Sequence, residues 1–395
     1  MLNAARCFFI VQLLGASGQV QASADTALIV IDDGGGARVA NSNVRIGTAV
    51  RLFAAVRRQH NGRTLIFSDV KRFRLGTRTL RADRPLRALG RIEAIRWFRV
   101  EPHPHHQNLP APNEGNPAYS NSVLFGKNHG RWLGYDTLEY FETPIAGGND
   151  TPMLLVRDAH PSYAQLDRYG GLGTMRYKVA IKLGDRWVSS PGIESLTRSG
   201  ISARVTRISF RERGEGYVDY LRGLFNVPNV FGSAGVGARH QTELYQGADC
   251  ADVIIGAIRA AGVKLPYTSA AGLQRFARPV TTRLLMTKSQ LLSVNRDQVV
   301  RLSFSTDVRP GDIMLIDYAG FNASPRAWDH VAVIDHDRGV SGVFDPQDPI
   351  LHVGYLYGLT EEPAASQAPA YVRFLRLNPR IRQQLLRAAR RRGVH

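Results

Sequence analysis

Cysteine is scarce in this chain, with two residues in 395, Cys7 and Cys250. The sequence also lacks any apolar run of membrane-spanning length. The run near the start, residues 7–16, is too short for a permanent anchor. It follows Arg6 and precedes a small-x-small sequence that ends at Ala24. A basic start, a short apolar core and a small-x-small end are typical of a secretory signal peptide.

We therefore predict that residues 1–24 are a signal peptide cleaved near Ala24. The mature protein is then exported, periplasmic or cell-wall associated, with no transmembrane segment. Cys250 is its single cysteine, so it has no partner for an internal disulfide. Three interpretations of Cys250 stay open: a buried inert thiol, an intermolecular bridge or a reactive residue.

Acidic residues are also in deficit. The chain has 33 Asp and Glu against 51 Lys and Arg, a formal net charge of +18 and a pI near 10.4. Such a balance favours a polyanionic partner: nucleic acid, an anionic membrane surface or an acidic cell-wall polymer. Export argues against nucleic acid, and no aromatic and basic motif of a nucleic-acid module is present. We predict peptidoglycan or another anionic wall polymer as the partner.

Residues 25–212 are predicted to form a β-rich N-terminal domain with a wall-binding or substrate-binding role. Short runs that alternate or carry β-branched residues are separated by clusters of Gly, Asn, Asp and Pro. A strand that carries Trp97 and a later strand that carries Tyr177 suggest an immunoglobulin-like sandwich. A turn at residues 183–186 is expected to close a hairpin.

A polar loop at residues 101–128 interrupts the predicted strands. Its His103, His105 and His106 are of a type that ligates metals, but no acidic or cysteine partner stands at ligand spacing. We therefore expect a solvated loop, and we predict no metal site and no cofactor.

Residues 245–262 are the stretch around which the remaining sequence is organised. Asp249 is a good N-cap, Asp252 lies in the first turn, and Gly262 suits the position just past a helix end. The apolar residues that recur at helical spacing are Val253, Ile254, Ala257, Ile258 and Ala261. Cys250 thus begins a helix, where free N–H groups and the positive end of the dipole are expected to lower a thiol pKa.

Residues 213–395 are predicted to form the catalytic domain. A Pro-Gly turn at residues 310–311 leads into an apolar strand, and the next strand begins at His330. A cysteine helix followed by an antiparallel sheet that presents a histidine lets the imidazole accept the thiol proton. The alternative for His330 is an interior histidine that binds a backbone carbonyl.

Five features in order carry a resemblance to a known family. They are Pro228 with Gly232, Asp249 with Cys250, residues 310–312, residues 330–333 and residues 350–353. This order resembles the NlpC-type cell-wall cysteine peptidases, a branch of the papain-like fold, from about residue 217 to residue 377. The resemblance implies an α+β catalytic domain in which the Cys helix packs on an antiparallel sheet.

The resemblance also implies roles. Cys250 is the expected nucleophile, His330 the expected general base, and peptidoglycan stem peptides the expected substrate. The chain departs from the family in having Asn229 where the family usually has Tyr, and Ala251 where it usually has Ser. Asn229 and Asp249 are the candidate oxyanion or substrate residues, with the Cys250 backbone N–H as a further oxyanion donor.

Two residues compete for the third catalytic position, which orients the imidazole. His352 fits the resemblance, although its spacing from His330 is longer than the family's usual hairpin. Asp345 fits a hairpin that turns at residues 337–339, since this would bring residues near 345 opposite His330. We favour His352.

The last segment, residues 379–395, is predicted to be an arginine-rich helix that either docks on the domain or lies on an anionic surface. The complete prediction is an exported cysteine peptidase that cleaves stem-peptide amide bonds through a thioester. One alternative is a papain-like acyltransferase or amidase that acts on a lipid or another amide. The other is a non-catalytic wall-binding protein in which Cys250 is buried.

Overall fold

The structure is a computed structural model that describes residues 25–102, 140–164, 166–197, 200–230, 232–233, 235–236, 238–318, 328–354 and 358–392. The predicted signal peptide and His103, His105 and His106 lie outside the described residues. Strands greatly outnumber helices in the described part, which is broadly compatible with an α+β class.

The first half of the chain is a series of strands. They are β1 (Thr26–Asp32), β2 (Arg38–Val39), β3 (Ser42–Arg45), β4 (Val50–His60), β5 (Arg63–Ser68), β6 (Arg72–Leu75), β7 (Arg78–Arg81), β8 (Ile92–Pro102), β9 (Tyr140–Pro144), β10 (Met153–Val156), β11 (Gly173–Leu183), β12 (Arg186–Ser189), β13 (Leu196–Thr197), β14 (Gly200–Ile201) and β15 (Thr206–Arg211). One sheet has the order β10-β4-β1-β2-β6-β7 with β5 beside β4. A second has the order β3-β15-β11-β8-β9 with β12 beside β11.

The two sheets enclose one apolar core. Alternate residues of β1 and β4 pack in the same cluster as residues of β8, β11 and β15, and Trp97 and Tyr177 lie in this cluster. The expected hairpin is present, because Leu183 pairs with Arg186. Strand β3 belongs to the second sheet, where it pairs in parallel with β15. The first half is therefore a two-sheet β-sandwich.

The second half mixes three helices with short strands. The helices are α1 (Tyr217–Arg222), α2 (Cys250–Ala260) and α3 (Pro379–Arg391). The strands are β16 (Gly235–Val236), β17 (Arg239–His240), β18 (Ala277–Pro279), β19 (Leu284–Met286), β20 (Leu291–Leu292), β21 (Val299–Val300), β22 (Leu302–Ser303), β23 (Ile313–Asp317), β24 (His330–Ile334), β25 (Val343–Phe344), β26 (Pro349–Gly354), β27 (Gly358–Pro363) and β28 (Ala370–Leu377).

Nine of these strands form an antiparallel sheet. Its order is β21-β20-β19-β28-β23-β24-β26-β27, with β18 beside β28. Val331 and Val333 face α2 in one apolar cluster, whereas Ala332 and Ile334 face a second cluster on the other side. This alternation follows from the two-residue period of a strand. His330 begins β24 on the same side as Ala332.

Helix α2 has the boundaries that its sequence predicts. The Asp249 carboxylate accepts the N–H groups of Ala251, at 3.0 Å, and Asp252, at 2.9 Å. These bonds satisfy two of the free donors at the helix start. At the other end Gly262 adopts φ +98°, a left-handed conformation that glycine tolerates without strain.

Helix α3 docks against the α2 side of the sheet. Ile381 and Leu385 are buried in the same cluster as α2, while Leu386 is 61% exposed. Arg392 donates to Glu215 at 2.6 Å and to the carbonyl oxygen of Ala261 at 3.0 Å. Of the two arrangements open for this segment, the docked one is found.

The sandwich contacts the segment that leads into α2. Arg176 donates to the carbonyl oxygen of Tyr245, and the Arg207 guanidinium lies 3.7 Å from the centre of the Tyr245 ring. Gln246 donates to the carbonyl oxygen of Ile201 at 2.9 Å. These contacts join the two halves next to Cys250. None of the described helices has both the length and the apolar composition needed to cross a membrane.

Candidate active site

Cys250 is the first residue of α2 and is partly exposed. Its side chain packs at the margin of the apolar cluster between α2 and the sheet. The backbone N–H of Val331 lies near enough to the thiol to lower its pKa. The β24–β26 pairing begins one residue later, at Ala332 opposite His352. The sulfur therefore lies near Val331, the residue that follows His330 in β24.

The pKa of the Cys250 thiol is raised, not lowered. Burial is the main cause, and the negative charge of Asp249 adds to it. The nearby N–H groups of Val331 and Ala251 act in the opposite direction and are outweighed. The expectation of a thiolate created by the helix start is therefore wrong. The same carboxylate that caps α2 places an anion beside the sulfur, and the resting residue is a neutral thiol.

His330 and His352 form a direct pair. His330 Nε2 lies 3.0 Å from His352 Nδ1, and the ring planes are nearly perpendicular. Both side chains project from the same side of neighbouring strands, because His352 is directly opposite Ala332. The contact occupies Nε2 of His330. Nδ1 is therefore the ring nitrogen of His330 that this contact leaves free.

Burial lowers the pKa of His330 to about 3, and the neighbouring His352 adds to the effect. The imidazole is consequently neutral at every pH from mildly acidic upward. With the pKa of Cys250 raised and that of His330 lowered, both side chains are neutral at rest and do not form a thiolate–imidazolium pair.

Asp345 does not reach His330. Its carboxylate accepts the N–H groups of Val340, at 2.6 Å, and Gln347, at 2.7 Å, and so closes the turn before β26. The partner opposite β24 is β26, not the residues near 345. Of the two candidates for the third position, the structure brings only His352 to His330.

Asn229 lies beside the segment that leads into α2. Its backbone pairs with Ala248, two residues before the thiol, and the flanking Val230 N–H donates to the Ala248 carbonyl oxygen at 3.0 Å. Asp249 is adjacent to the sulfur, but its carboxylate is used in capping α2. An ionised carboxylate accepts hydrogen bonds and cannot donate one to an oxyanion. We therefore remove Asp249 from the oxyanion candidates.

Three residues that the sequence did not indicate also lie at the histidine pair. Glu362 Oε2 and Gln367 Nε2 are each 3.4 Å from His352 Nε2, and Tyr318 donates its hydroxyl proton to Gln367 Oε1. Burial raises the pKa of Tyr318, and the charges of Cys250, Asp329 and Glu362 contribute. No sequence signal marked them, since Glu362 belongs to β27, a strand that the apolar pattern did not predict.

Within the part of the chain that the structure describes, His330 and His352 form a pair next to Val331, whose N–H acts on the Cys250 thiol, and no hydrogen bond joins the Cys250 sulfur to the His330 ring. Among the described residues, no three His, Cys, Asp or Glu side chains are grouped as a metal site would require. Comparisons of the chain with protein-family models, with curated proteins and with solved structures find no match.

Proposed function

We propose that the protein is an exported cysteine hydrolase that cleaves amide bonds in peptidoglycan stem peptides. One observation carries the proposal: Cys250 starts α2 against the first residues of β24, where His330 and His352 lie 3.0 Å apart. A cysteine at a helix start, a histidine on the adjoining strand and an orienting third group are the parts that thiol-based acyl transfer needs.

In the proposed reaction, Cys250 Sγ attacks the amide carbonyl carbon as its proton moves to His330 Nδ1. The resulting oxyanion is bound by the Cys250 backbone N–H, a first-turn donor that has no intrahelical acceptor. Asn229 is the candidate second donor. The C–N bond then breaks, and His330 returns the proton to the departing amine. Water, deprotonated by the same imidazole, hydrolyses the thioester and releases the carboxylic acid and the thiol.

We infer that the C-terminal half has a papain-like fold. A helix that presents cysteine at its start and packs on an antiparallel sheet is the arrangement of papain-like domains. In the N-terminal half, two packed sheets, a buried Trp97 and the parallel pairing of β3 with β15 support an immunoglobulin-like sandwich. We assign this sandwich a role in holding substrate or wall.

The substrate class rests on charge. A net charge of +18 draws the protein to a polyanion, and a bacterial wall is an exported, anionic polymer that contains amide-linked peptides. Binding to the wall through this charge is expected to weaken as salt concentration rises.

The proposal is tested by incubating purified muropeptides with the protein and with Cys250→Ser, and separating the products by mass spectrometry. We expect new fragments from the wild type alone. Thermal unfolding of both proteins checks that the serine variant is folded. Equal fragment release from the two proteins would remove the proposed function. Products that carry an added amine or alcohol in place of water would identify an acyltransferase instead.

One observation favours a second candidate, a wall-binding protein without catalysis: the raised pKa of the Cys250 thiol. A neutral thiol reacts slowly with iodoacetamide in both cases, so simple alkylation at neutral pH does not separate them. The two candidates are separated by measuring how much wild type and Cys250→Ser sediment with purified cell walls, and by comparing this binding with fragment release. Binding by both proteins without fragments from either would favour the second candidate.

A further inference from the structure

The proton on His352 can occupy either ring nitrogen, and the choice decides whether His330 is a base. If His352 carries its proton on Nε2, its Nδ1 accepts a bond from His330 Nε2–H, and His330 Nδ1 has a free lone pair. If His352 carries the proton on Nδ1, it donates to His330 Nε2, and the His330 proton moves to Nδ1. Only the first arrangement leaves a nitrogen able to take the proton of Cys250.

Two side chains compete for His352 Nε2, each 3.4 Å away. Glu362 Oε2 accepts a proton and so favours the first arrangement. Gln367 Nε2 donates and favours the second, and its orientation is fixed because its Oε1 accepts from Tyr318. Both contacts are long for hydrogen bonds, so charge decides between them.

We propose that Glu362 is a positioning residue that holds the proton of His352 on Nε2 and thereby keeps His330 in its basic tautomer. In the second arrangement the Glu362 carboxylate faces the lone pair on His352 Nε2, which repels it. In the first arrangement it faces the Nε2–H group, which attracts it. The same negative charge also stabilises the imidazolium that forms on His330 after it takes a proton. The role of Glu362 in catalysis rests on the proposed function, whereas its effect on the tautomer of His352 does not.

The surroundings keep Glu362 ionised. Its hydrogen bond with His352 is the main cause that lowers its pKa, and Ser366 and the charge of Arg168 add to this. Arg168 is held in place by a bond to Thr360 at 2.6 Å, and Thr360 lies opposite His352 in the β26–β27 ladder. The Glu362 side chain is 35% exposed, so an isosteric substitution there does not disturb the core.

The direct test measures the tautomers by ¹⁵N NMR of the imidazole nitrogens, with His352→Gln used to assign the signals. In the wild type we expect His330 and His352 both protonated on Nε2. In Glu362→Gln we expect the Nδ1–H forms of both to gain population. A wild-type His330 protonated on Nδ1, or an unchanged tautomer in the variant, would overturn the inference.

The second test measures turnover with the muropeptide substrate. Glu362→Gln is expected to lower kcat by about 10- to 100-fold, the range found when a residue that orients a functional histidine is replaced. Glu362→Gln combined with Gln367→Glu moves the carboxylate to the other neighbour of the same nitrogen and is expected to restore most of the rate. Glu361→Gln, on the opposite side of β27, is the matched control and leaves the rate unchanged.

The two tests separate the possible failures. Expected tautomers in a protein that cleaves no substrate would leave the tautomer inference standing and end the proposed function. A Cys250-dependent activity that Glu362→Gln does not lower, or that the paired substitution does not restore, would end the inference alone. Thermal unfolding of each variant excludes loss of fold as the cause.

Discussion

Two basic clusters, one in the sandwich and one in the nine-stranded sheet, differ in what their protons can do. The arginine cluster, Arg176 and Arg207, belongs to the sandwich and contacts Tyr245. The histidine cluster, His330 and His352, belongs to the nine-stranded sheet and ends at Glu362. Arginine stays protonated in proteins, whereas an imidazole changes its proton within the ordinary pH range.

Burial acts on both clusters in the same direction with different consequences. It lowers the pKa of Arg207 to about 10, which leaves the guanidinium charged at neutral pH. It lowers the pKa of His330 to about 3, which makes the imidazole a neutral base. The same desolvation thus leaves one cluster as a fixed cation and turns the other into a proton acceptor.

The arginine cluster has a structural task that the histidine cluster does not share. Tyr245 adopts φ +56°, a left-handed conformation that costs a non-glycine residue about 1 kcal/mol. Arg176 holds its carbonyl oxygen and Arg207 covers its ring. These contacts fix the strained residue five positions before Cys250. The arginines therefore hold the backbone before α2, whereas the proposed function gives the histidines a role in proton transfer.

The largest effect is expected from His330→Gln, which removes the base and keeps a similar side-chain volume. Turnover of muropeptide should fall by about a thousand-fold or more, since a nucleophile without its base loses the concerted proton transfer. Single-turnover rates measure the loss of activity, and thermal unfolding checks that the variant is folded. His336→Gln, a neighbouring histidine whose ring contacts Asp335, is the control. A His330 variant that kept a tenth of the wild-type rate would contradict the chemical role of this cluster.

The next effect distinguishes the two candidates for the third position. His352→Asn is expected to lower kcat by about 10- to 100-fold, because it removes the group that orients His330. Asp345→Asn weakens the bonds to Val340 and Gln347 and is expected to cost about 1 kcal/mol of unfolding free energy with the rate unchanged. Muropeptide turnover rates and urea unfolding of both variants decide between the two residues. A lower rate for Asp345→Asn with an unchanged rate for His352→Asn would make Asp345 the third catalytic residue.

The sequence predicted the elements of the site better than their pairing. Asp249, the apolar spacing and Gly262 define α2, and an apolar run beginning at His330 defines β24. These signals are local, so they survive without knowledge of the fold. The register opposite β24 is not local. It depends on a turn that Asp345 and Asp348 close by accepting backbone N–H groups, which shifts β26 along the chain and brings His352 into place.

The protonation states were equally beyond the sequence. A cysteine at a helix start predicts a lowered thiol pKa, but burial and the charge of Asp249 reverse the direction. Burial appears only after the sheet has packed on α2, whereas Asp249 precedes Cys250 in the sequence and was considered only as the cap of the helix. Glu362 was missed for a related reason: its role exists only because β27 lies beside β26, and nothing in its own neighbourhood marks it.

A smaller effect tests the arginine cluster. Arg176→Met removes the donor to the Tyr245 carbonyl oxygen and is expected to lower the free energy of unfolding by about 1–3 kcal/mol. The muropeptide rate should fall by less than tenfold, because the substitution touches no proton-transfer group. Urea unfolding measures the free energy of unfolding, and steady-state kinetics measure the muropeptide rate.

The control for this substitution is Arg96→Met, on the exposed side of β8, where the guanidinium lies over the Trp187 ring at 5.0 Å. It is expected to change stability by about 0.5 kcal/mol or less. An Arg176 variant as stable as the wild type would mean that the cost of burying the guanidinium equals the gain from its bond, and that this cluster does not hold the segment.

The smallest effect concerns the Cys250 thiol. Because its folded pKa is raised, the unfolded chain releases the thiol proton at a lower pH than the folded chain does. The unfolded state therefore binds fewer protons above the unfolded thiol pKa, about 8.5, and this group's contribution to stability falls as pH rises through that value. Urea unfolding between pH 7 and pH 10 is expected to show a steeper loss for the wild type than for Cys250→Ser. The difference is limited to about 1.4 kcal/mol per pH unit, the value for one proton. Identical pH profiles for the two proteins would mean that the sulfur ionises as freely in the fold as outside it, and that the proton on Cys250 does not need His330 to remove it.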